Sequence, residues 1–370
     1  MSDLDMTIKS RLGDYQVRFQ KDYSFIGEIL ARPNTVLVMD RRVYDLYRER
    51  LPVLDELHEK YLLDAREENK TLEQAGRIVQ WIIDSFAAKK NINYASIGGG
   101  ITQDVSGFVA STLYRGVPWT FVPTTLLAQC DSCIGGKTSI NFGHSKNLLG
   151  TFYPPREVHI NADFTNTLSD LDRQSGFGEV AKFLLMDAYE SGFDLARVRA
   201  KLRATQTDAA SMARLIADAL KVKRNFMEND EFDRGRRNLL NYGHCFGHAL
   251  EAASDYYVPH GVAVAIGMIF ANFGSAIRGL LSEDVVNEIN DIIKPLIHQL
   301  QRAQDYQISP LLENLKKDKK RVGSGLPLVC PTHNGLVLLK DFTESEFVCA
   351  LERTKEFLGM PSRAKNSPRT

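Results

Sequence analysis

Along the first half of the chain, short apolar runs alternate with stretches in which apolar residues recur about every 3.6 positions. Thr35 to Met39 (TVLVM) is a β-branched apolar run ending at Asp40, and Tyr94 to Ile97 leads into Gly98-Gly99-Gly100. Both read as parallel strands buried on two faces. Trp119 to Pro123 adds another strand. Between the first two, Arg42 to Arg50 and Thr71 to Lys89 carry helical spacing, the latter through Leu72, Ala75, Ile78, Val79, Ile82, Ile83 and Phe86. The order strand, helix, helix, strand is that of an α/β fold. After about residue 170 the strand signal fades, and amphipathic stretches such as Ala209 to Met227 and Asn238 to Ser254 take over. The second half is therefore expected to be mainly helical, with the boundary between Tyr153-Pro154-Pro155 and Asp172, where prolines and polar residues interrupt the pattern.

The length of 370 residues suits two domains. Lys+Arg and Asp+Glu both number 46, so no global basic field marks nucleic acid as a partner. The start, MSDLDMTIKSRLGDYQV, has acidic residues early and no apolar core before a cleavage site, so export is not expected and a cytoplasmic location is. Val262 to Gly274 is the most apolar stretch but is shorter than the roughly 20 residues a membrane span needs. It reads as a buried helix, and no membrane partner is expected. Five cysteines (Cys130, Cys133, Cys245, Cys330, Cys349) in such a chain are expected to be reduced thiols. Cys130 and Cys133 form a C-x-x-C, but no second pair or nearby histidine completes a metal set. The tail, Pro361 to Thr370, has a composition that suggests disorder.

Three groups of residues could carry chemistry. Gly98-Gly99-Gly100 follows a strand, and glycines there let backbone N–H groups approach a pyrophosphate at a helix start. Asp40, at the end of an earlier strand, could accept hydrogen bonds from a ribose. His244 and His248, four apart, share one helix face, and His260 follows a short loop. A carboxylate is often the remaining ligand of an open metal site; Glu179 in SGFGEVAK is a candidate, and spacing alone does not choose it over Glu251. Cations beside small polar groups, Arg115, Lys137, Lys146, Lys182, Lys223, Arg237 and Lys319-Lys320, would together suit an anionic substrate.

With these segments in view, the sequence resembles the sugar-phosphate cyclases, and among them the 3-dehydroquinate synthase family. The blocks are GGGITQDVSGFVASTLYRG (98 to 116), VPTTLLAQCDSCIGGKTSIN (122 to 141), SKNLLGTFYPP (145 to 155), SGFGEVAK (175 to 182), NLLNYGHCFGHALE (238 to 251), PHGVAVAIGM (259 to 268) and KKDKKR (316 to 321), in family order. The resemblance implies a Rossmann-like NAD-binding α/β domain over 1–165 and an all-α metal- and substrate-binding domain over 166–370. It implies NAD and a divalent metal as cofactors, zinc in the first place and cobalt as the alternative. The metal ligands it carries over are Glu179, His244 and His260, so that His248 moves from the metal to the substrate phosphate. The matching NAD positions are Asp40, Glu67, Lys70, Gly99, Gly100, Asp104, Thr124, Thr125, Asp131, Lys146 and Thr167. The matching substrate positions are Lys137, Asn147, Lys182, Lys223, Arg237, Asn241 and His248, with Lys319 or Lys320, and Arg115 from a neighbouring subunit of a homodimer.

The activity implied is that of a lyase. NAD⁺ transiently oxidises a hydroxyl of a phosphorylated sugar acid, phosphate leaves by β-elimination, the hydride returns, and an intramolecular aldol closes a carbocycle. For 3-dehydroquinate synthase this belongs to the shikimate pathway of aromatic amino acid biosynthesis. The substrate carboxylate is bound in the family by a lysine and an arginine that align with Lys223 and Arg237; both persist here. Sister cyclases making 2-epi-5-epi-valiolone, 2-deoxy-scyllo-inosose or amino-dehydroquinate are the alternative, and metal- and NAD-dependent polyol dehydrogenases a second. Departures from the family pattern are INFGHSKN around His144 and Ser145, Val262 in place of Glu after His260-Gly261, and Asp233 and Asp172 where the family has Glu. They mark a divergent branch.

Overall fold

The computed structural model of the chain describes residues 3–86, 91–143, 145–204, 208–254, 257–297 and 326–359, with backbone alone at 86 and 204. The chain divides into two compact units: Met1–Ser169 with Thr207–Asp233, and Asp170–Gln206 with Arg234–Thr370.

The first unit is built on a seven-stranded sheet. Its strands are β1 (Met6–Ile8), β2 (Tyr15–Phe19), β3 (Thr35–Asp40), β4 (Lys60–Leu63), β5 (Asn93–Gly98), β6 (Trp119–Pro123) and β9 (Glu157–Ile160), in the order β1-β2-β9-β6-β5-β3-β4. Only β1 pairs antiparallel, with β2; the other pairings are parallel. Every residue of β6 is buried, as are Thr35 to Met39 of β3, which explains their unbroken apolar sequence. Around the sheet run α1 (Ser24–Leu30), α2 (Arg41–Tyr47), α3 (Val53–Glu56), α4 (Leu72–Phe86) and α5 (Gly100–Thr112). Helix α4 buries Ala75, Ile78 and Ile82, one stripe at helical spacing. A small hairpin, β7 (Ile140–Phe142) and β8 (Ser145–Leu149), stands beside the sheet. Sequence order reverses direction between β3 and β5: β4 lies beyond β3 on one side and β6 beyond β5 on the other. In such sheets ligands bind at the carboxyl ends of the strands flanking this reversal. Asp40 and Gly98 occupy those two ends.

The second unit contains α6 (Asp170–Glu190), α7 (Leu195–Ala204), α9 (His244–Ala253), α10 (His260–Ile277), α11 (Glu283–Ile293) and α12 (Glu344–Leu358), with the hairpin β10 (Leu326–Thr332) and β11 (Gly335–Phe342). Helix α10 is buried from Gly261 to Ser275. It is long and apolar enough to cross a membrane by composition, but 83% of it is inside the protein, the mark of a core helix. Helix α12 starts in a capping box between Thr343 and Glu346 and ends at Gly359 in the left-handed region.

Four expectations are corrected here. The second unit is helical but not all-α, because it also holds the hairpin of β10 and β11, with β10 packed against α10 and β11 against α6; β10 is apolar and buried along most of its length and contains Pro327 and Pro331, so it shows no alternation. The short β4 separates the two helical stretches that the sequence places in succession. The stretch Asn238 to Ser254 is not one helix: a 3-10 turn, Arg236–Asn241, stops at Tyr242, and α9 restarts after Gly243 at φ +78°. A single cut at residue 165 also fails, because α8 (Ala209–Glu228) belongs to the α/β unit. Its Lys223 is buried on Asp131, and Glu228 and Glu231 accept from the backbone of Lys9 and Arg11, each at 2.8 Å. The tail 361–370 and the lysine pair Lys319-Lys320 lie outside the described residues.

Candidate functional site

On the α/β unit the polypeptide opens a cradle at the start of α5. Gly99 caps the helix without any side-chain cap, so the first-turn N–H groups are available to an anion. A Cβ on Gly98 would sit 2.5 Å from Thr102 Oγ1, and one on Gly99 would sit 2.9 Å from Thr125 Cγ2. A Cβ on Gly100 would be in ordinary contact with Ser132 Oγ at 3.9 Å. Glycines packed this closely let the backbone N–H groups of the turn approach a pyrophosphate where side chains would stand in the way. The buried hydroxyls of Thr102 and Thr124 have no hydrogen-bond partner among the described residues, and a buried orphan hydroxyl is costly unless a ligand answers it. These features fit a dinucleotide.

Beside this cradle, five of the expected residues join in one network. Lys70 Nζ, nearly fully buried, lies 2.6 Å from Asp104 Oδ2 and donates to Asn147 Oδ1 at 2.5 Å. Asn147 Oδ1 also accepts from Ser139 Oγ at 2.6 Å, and its own N–H donates to Asn141 Oδ1 at 2.9 Å. Asn141 Nδ2 in turn donates to Glu67 Oε1 at 2.9 Å, which Lys146 approaches to 3.6 Å. Burial pushes the Asp104 carboxyl up to about 6, with Lys70 opposing. Asn147, expected at the substrate phosphate, is thereby tied to the residues expected around the nucleotide, and its φ of +52° holds it in a left-handed turn of β8. Ser139 and Asn141 escaped the sequence reading; the only signal for them is their place opposite Asn147 in a short hairpin.

The remaining expected residues of this unit are spread along its loops. Asp40 accepts from the N–H of Arg42 at 2.9 Å, capping α2, and burial raises its pKa. Thr125 accepts from the Ala128 N–H at 3.1 Å, and Thr167 shares a 3.1 Å hydrogen bond with Tyr47. Lys223 Nζ reaches Asp131 Oδ1 at 2.7 Å and the Asp131 carbonyl at 2.6 Å. Lys137, half exposed, pairs with Asp233 Oδ2 at 2.6 Å, and Asp233 stands at φ +58°. Arg115 is exposed in a strained turn after α5, where Tyr114, Arg115 and Gly116 all have positive φ. Cys130 and Cys133 are buried, and burial drives the Cys133 thiol up to about 12.

On the helical unit three glycines bring backbones together, and each is next to a candidate metal ligand. Gly178 precedes Glu179 on α6, and a Cβ there would run into the carbonyl of Gly261. Gly261 follows His260, and its Cβ would enter the carbonyl of Ser175. Gly243 precedes His244 and abuts the Val264 carbonyl at 2.5 Å from its would-be Cβ. The seam places three side chains from three helices around one point.

Glu179 is fully buried, with Oε1 at 3.4 Å from His244 Nε2 and 3.5 Å from His260 Nε2. With metal bonds of about 2.0–2.2 Å, neighbouring donors of a tetrahedral site stand roughly 3.3–3.5 Å apart, so the separations of Glu179 Oε1 from the two histidine nitrogens are those of ligands around a zinc-like ion. His248, expected at the phosphate, is close by: one ring nitrogen from each of His244, His248 and His260 lies within 4.8 Å of the others. Burial would raise the Glu179 carboxyl, but Lys182, 2.5 Å from Oε2, and His260 overcome this and hold it down at about 2. Burial, reinforced by Lys182 and the neighbouring histidines, lowers His244 well below the usual range, keeping it neutral as a ligand must be. The choice that spacing left open is resolved by position: Glu251 Oε2 is 3.1 Å from the other nitrogen of His260, Nδ1. In the turn before α9, Arg237 is buried, and Asn241 donates to the Asn238 carbonyl at 2.8 Å.

The fold is one shared by sugar-phosphate cyclases and iron-containing alcohol dehydrogenases. A solved 2-epi-5-epi-valiolone synthase from Streptomyces hygroscopicus subsp. jinggangensis 5008, with NAD⁺ and Zn²⁺ bound, matches with TM-score 0.74 at 27% identity, covering 94% of this chain and 98% of that one. A 2-deoxy-scyllo-inosose synthase matches with TM-score 0.75 at 20% identity over 90% and 94%, and an iron-containing alcohol dehydrogenase with 0.60 at 14% over 94% and 98%. Within this class, the model of the 3-dehydroquinate synthase N-terminal region matches residues 60–175 and that of the C-terminal region residues 176–321. The chain belongs to the 3-dehydroquinate synthase family. It is 33% identical to a 3-dehydroquinate synthase of Streptococcus equi subsp. equi (strain 4047), covering 90% of this chain and 93% of the relative. It is 35% identical to one of Dictyoglomus thermophilum (strain ATCC 35947 / DSM 3960 / H-6-12), over 84% and 86%.

Proposed function

We propose that the chain is a 3-dehydroquinate synthase, a lyase that converts a phosphorylated heptulosonate, 3-deoxy-D-arabino-heptulosonate 7-phosphate, into 3-dehydroquinate and phosphate in the shikimate pathway. The observation that carries the reading is likeness to 3-dehydroquinate synthases along nearly their whole length, 93% of one relative at 33% identity. When bound, NAD⁺ supplies a reversible hydride acceptor and a divalent metal, zinc or cobalt, supplies a Lewis acid.

Glu179, His244 and His260 would hold the metal, with Lys182 keeping Glu179 ionised. The first-turn N–H groups at Gly99 and Gly100 would take the pyrophosphate, and the network of Glu67, Lys70, Asp104 and Lys146 would fix the edge of the nucleotide site, with Asp40, Thr124, Thr125, Asp131 and Thr167 completing it. Lys137 is assigned to the departing phosphate, exchanging the Asp233 carboxylate for it, and Asn147, His248 and the Lys319-Lys320 pair are assigned to the same charge. We assign Lys223 and Arg237 to the substrate carboxylate, an anion that a guanidinium binds in bidentate fashion. Arg115, exposed on its strained turn, is assigned to the substrate of a second copy in a homodimer.

The test is a balance of products. Zinc-loaded protein with NAD⁺ and the heptulosonate phosphate is expected to release one phosphate per carbocycle formed, with no build-up of NADH. Accumulating NADH without phosphate would overturn the reading in favour of a polyol dehydrogenase.

A further inference from the structure

The imidazole of His260 is gripped at both of its nitrogens. Nε2 faces Glu179 Oε1 at 3.5 Å, the oxygen that His244 Nε2 approaches at 3.4 Å, while Nδ1 lies 3.1 Å from Glu251 Oε2. The two nitrogens of an imidazole point apart, so Glu251 is directed away from the centre that Glu179 and the Nε2 atoms surround. An ionised carboxylate only accepts hydrogen bonds. With a metal between Nε2 and Glu179 Oε1, a neutral ring would carry its proton on Nδ1, donate it to Glu251, and present the Nε2 lone pair to the ion. His244 is arranged alike: its Nδ1 lies 3.2 Å from the Tyr242 carbonyl. That carbonyl is itself anchored, since the Tyr242 phenol donates to Asn272 and meets the Tyr189 phenol at 3.1 Å, all of them buried.

The two rings differ in one respect. His244 is held by backbone at the closed start of α9, whereas His260 is the first residue of α10, is only partly buried, and depends on a side chain for its orientation. Resting on the metal reading above, we propose that Glu251 is a positioning residue: it sets the tautomer and the rotation of His260 so that Nε2 is presented to the metal, and it is not a metal ligand itself. Partners of this kind on the far nitrogen of a histidine ligand tune metal affinity while leaving the fold alone.

The test measures Zn²⁺ binding by the chelator-stripped full-length protein in competition with a chromophoric chelator, alongside urea unfolding of each metal-free form. Glu251→Ala is expected to weaken Zn²⁺ binding by roughly 10- to 100-fold while the metal-free unfolding midpoint stays close to that of the parent protein. Glu251→Gln, whose carboxamide oxygen still accepts from Nδ1–H, is expected to retain at least about a tenth of the parent affinity. If Glu251→Ala does not fold, Glu251→Met, which keeps the bulk and removes the acceptor, replaces it. Parent-like Zn²⁺ affinity in the variant without an acceptor would overturn the role of Glu251 while leaving the metal site standing. No Zn²⁺ binding by the parent protein would overturn the metal reading itself.

Discussion

Glu179 is where the chemistry of the helical unit converges. A carboxylate with no exposed surface, 2.5 Å from the equally buried ammonium of Lys182, is stable only because each charge answers the other. Glu179→Gln is expected to destabilise the metal-free protein by roughly 3–5 kcal/mol, measured by urea unfolding, since it strands Lys182. A second residue-scale expectation concerns His159, buried on β9, stacked on Phe25 and hydrogen-bonded with Gln20. Burial, partly offset by Glu157, lowers its pKa below the ordinary 6.5. The unfolded chain therefore binds more protons than the folded one just below 6.5, so stability is present above that pH and lost as pH falls through it. His159→Phe, which keeps the stacking, is expected to flatten the dependence of the urea midpoint between about pH 5 and 7. At this scale, residues singled out in the sequence are gathered by the structure around Glu179 and around Lys70. Glu179 and the three histidines were visible as residue types, but spacing says nothing about which nitrogen of His260 each carboxylate meets, and so by spacing Glu179 and Glu251 could not be told apart; only the family resemblance chose Glu179.

Helices and strands show a similar division. Strands buried on both faces, β3, β5 and β6, announce themselves as apolar runs, and α4 and α8 by their 3.6-residue stripes. Edge elements do not: β1 and β4 have three and four residues, too few to establish a period, and the prolines of β10 disguise a buried strand. The break at Gly243 was hidden because the helical spacing of apolar residues runs through it; only the left-handed backbone there, packed on α10, interrupts the helix. The glycine seam carries a direct consequence. Gly261→Ala would drive a methyl group into the Ser175 carbonyl and force α6 from α10. It is expected to cost about 3 kcal/mol or more, the upper range for overpacking, and to abolish Zn²⁺ binding as Glu179 and His260 part. A folded Gly261→Ala protein with parent-like Zn²⁺ affinity would contradict the role given to the seam.

For the whole molecule, the alternation of strand and helix followed by helix alone gave the two-part plan, and ordered motif blocks gave the family. What stayed illegible was the path of the chain: α8 carries an amphipathic pattern like that of the helical half, yet it packs in the α/β unit and delivers Lys223 there. Long-range pairings of this kind, such as Lys223 with Asp131 or Lys137 with Asp233, leave no periodic trace. The family membership and the retained Lys223 and Arg237 meet in one claim, that this enzyme closes a ring on a carboxylated sugar phosphate. The most direct measurement is phosphate release by the zinc- and NAD⁺-loaded protein offered separately the heptulosonate phosphate, glucose 6-phosphate and sedoheptulose 7-phosphate. Turnover of the heptulosonate phosphate alone is the expected result; turnover of only a sugar phosphate without a carboxylate would contradict it.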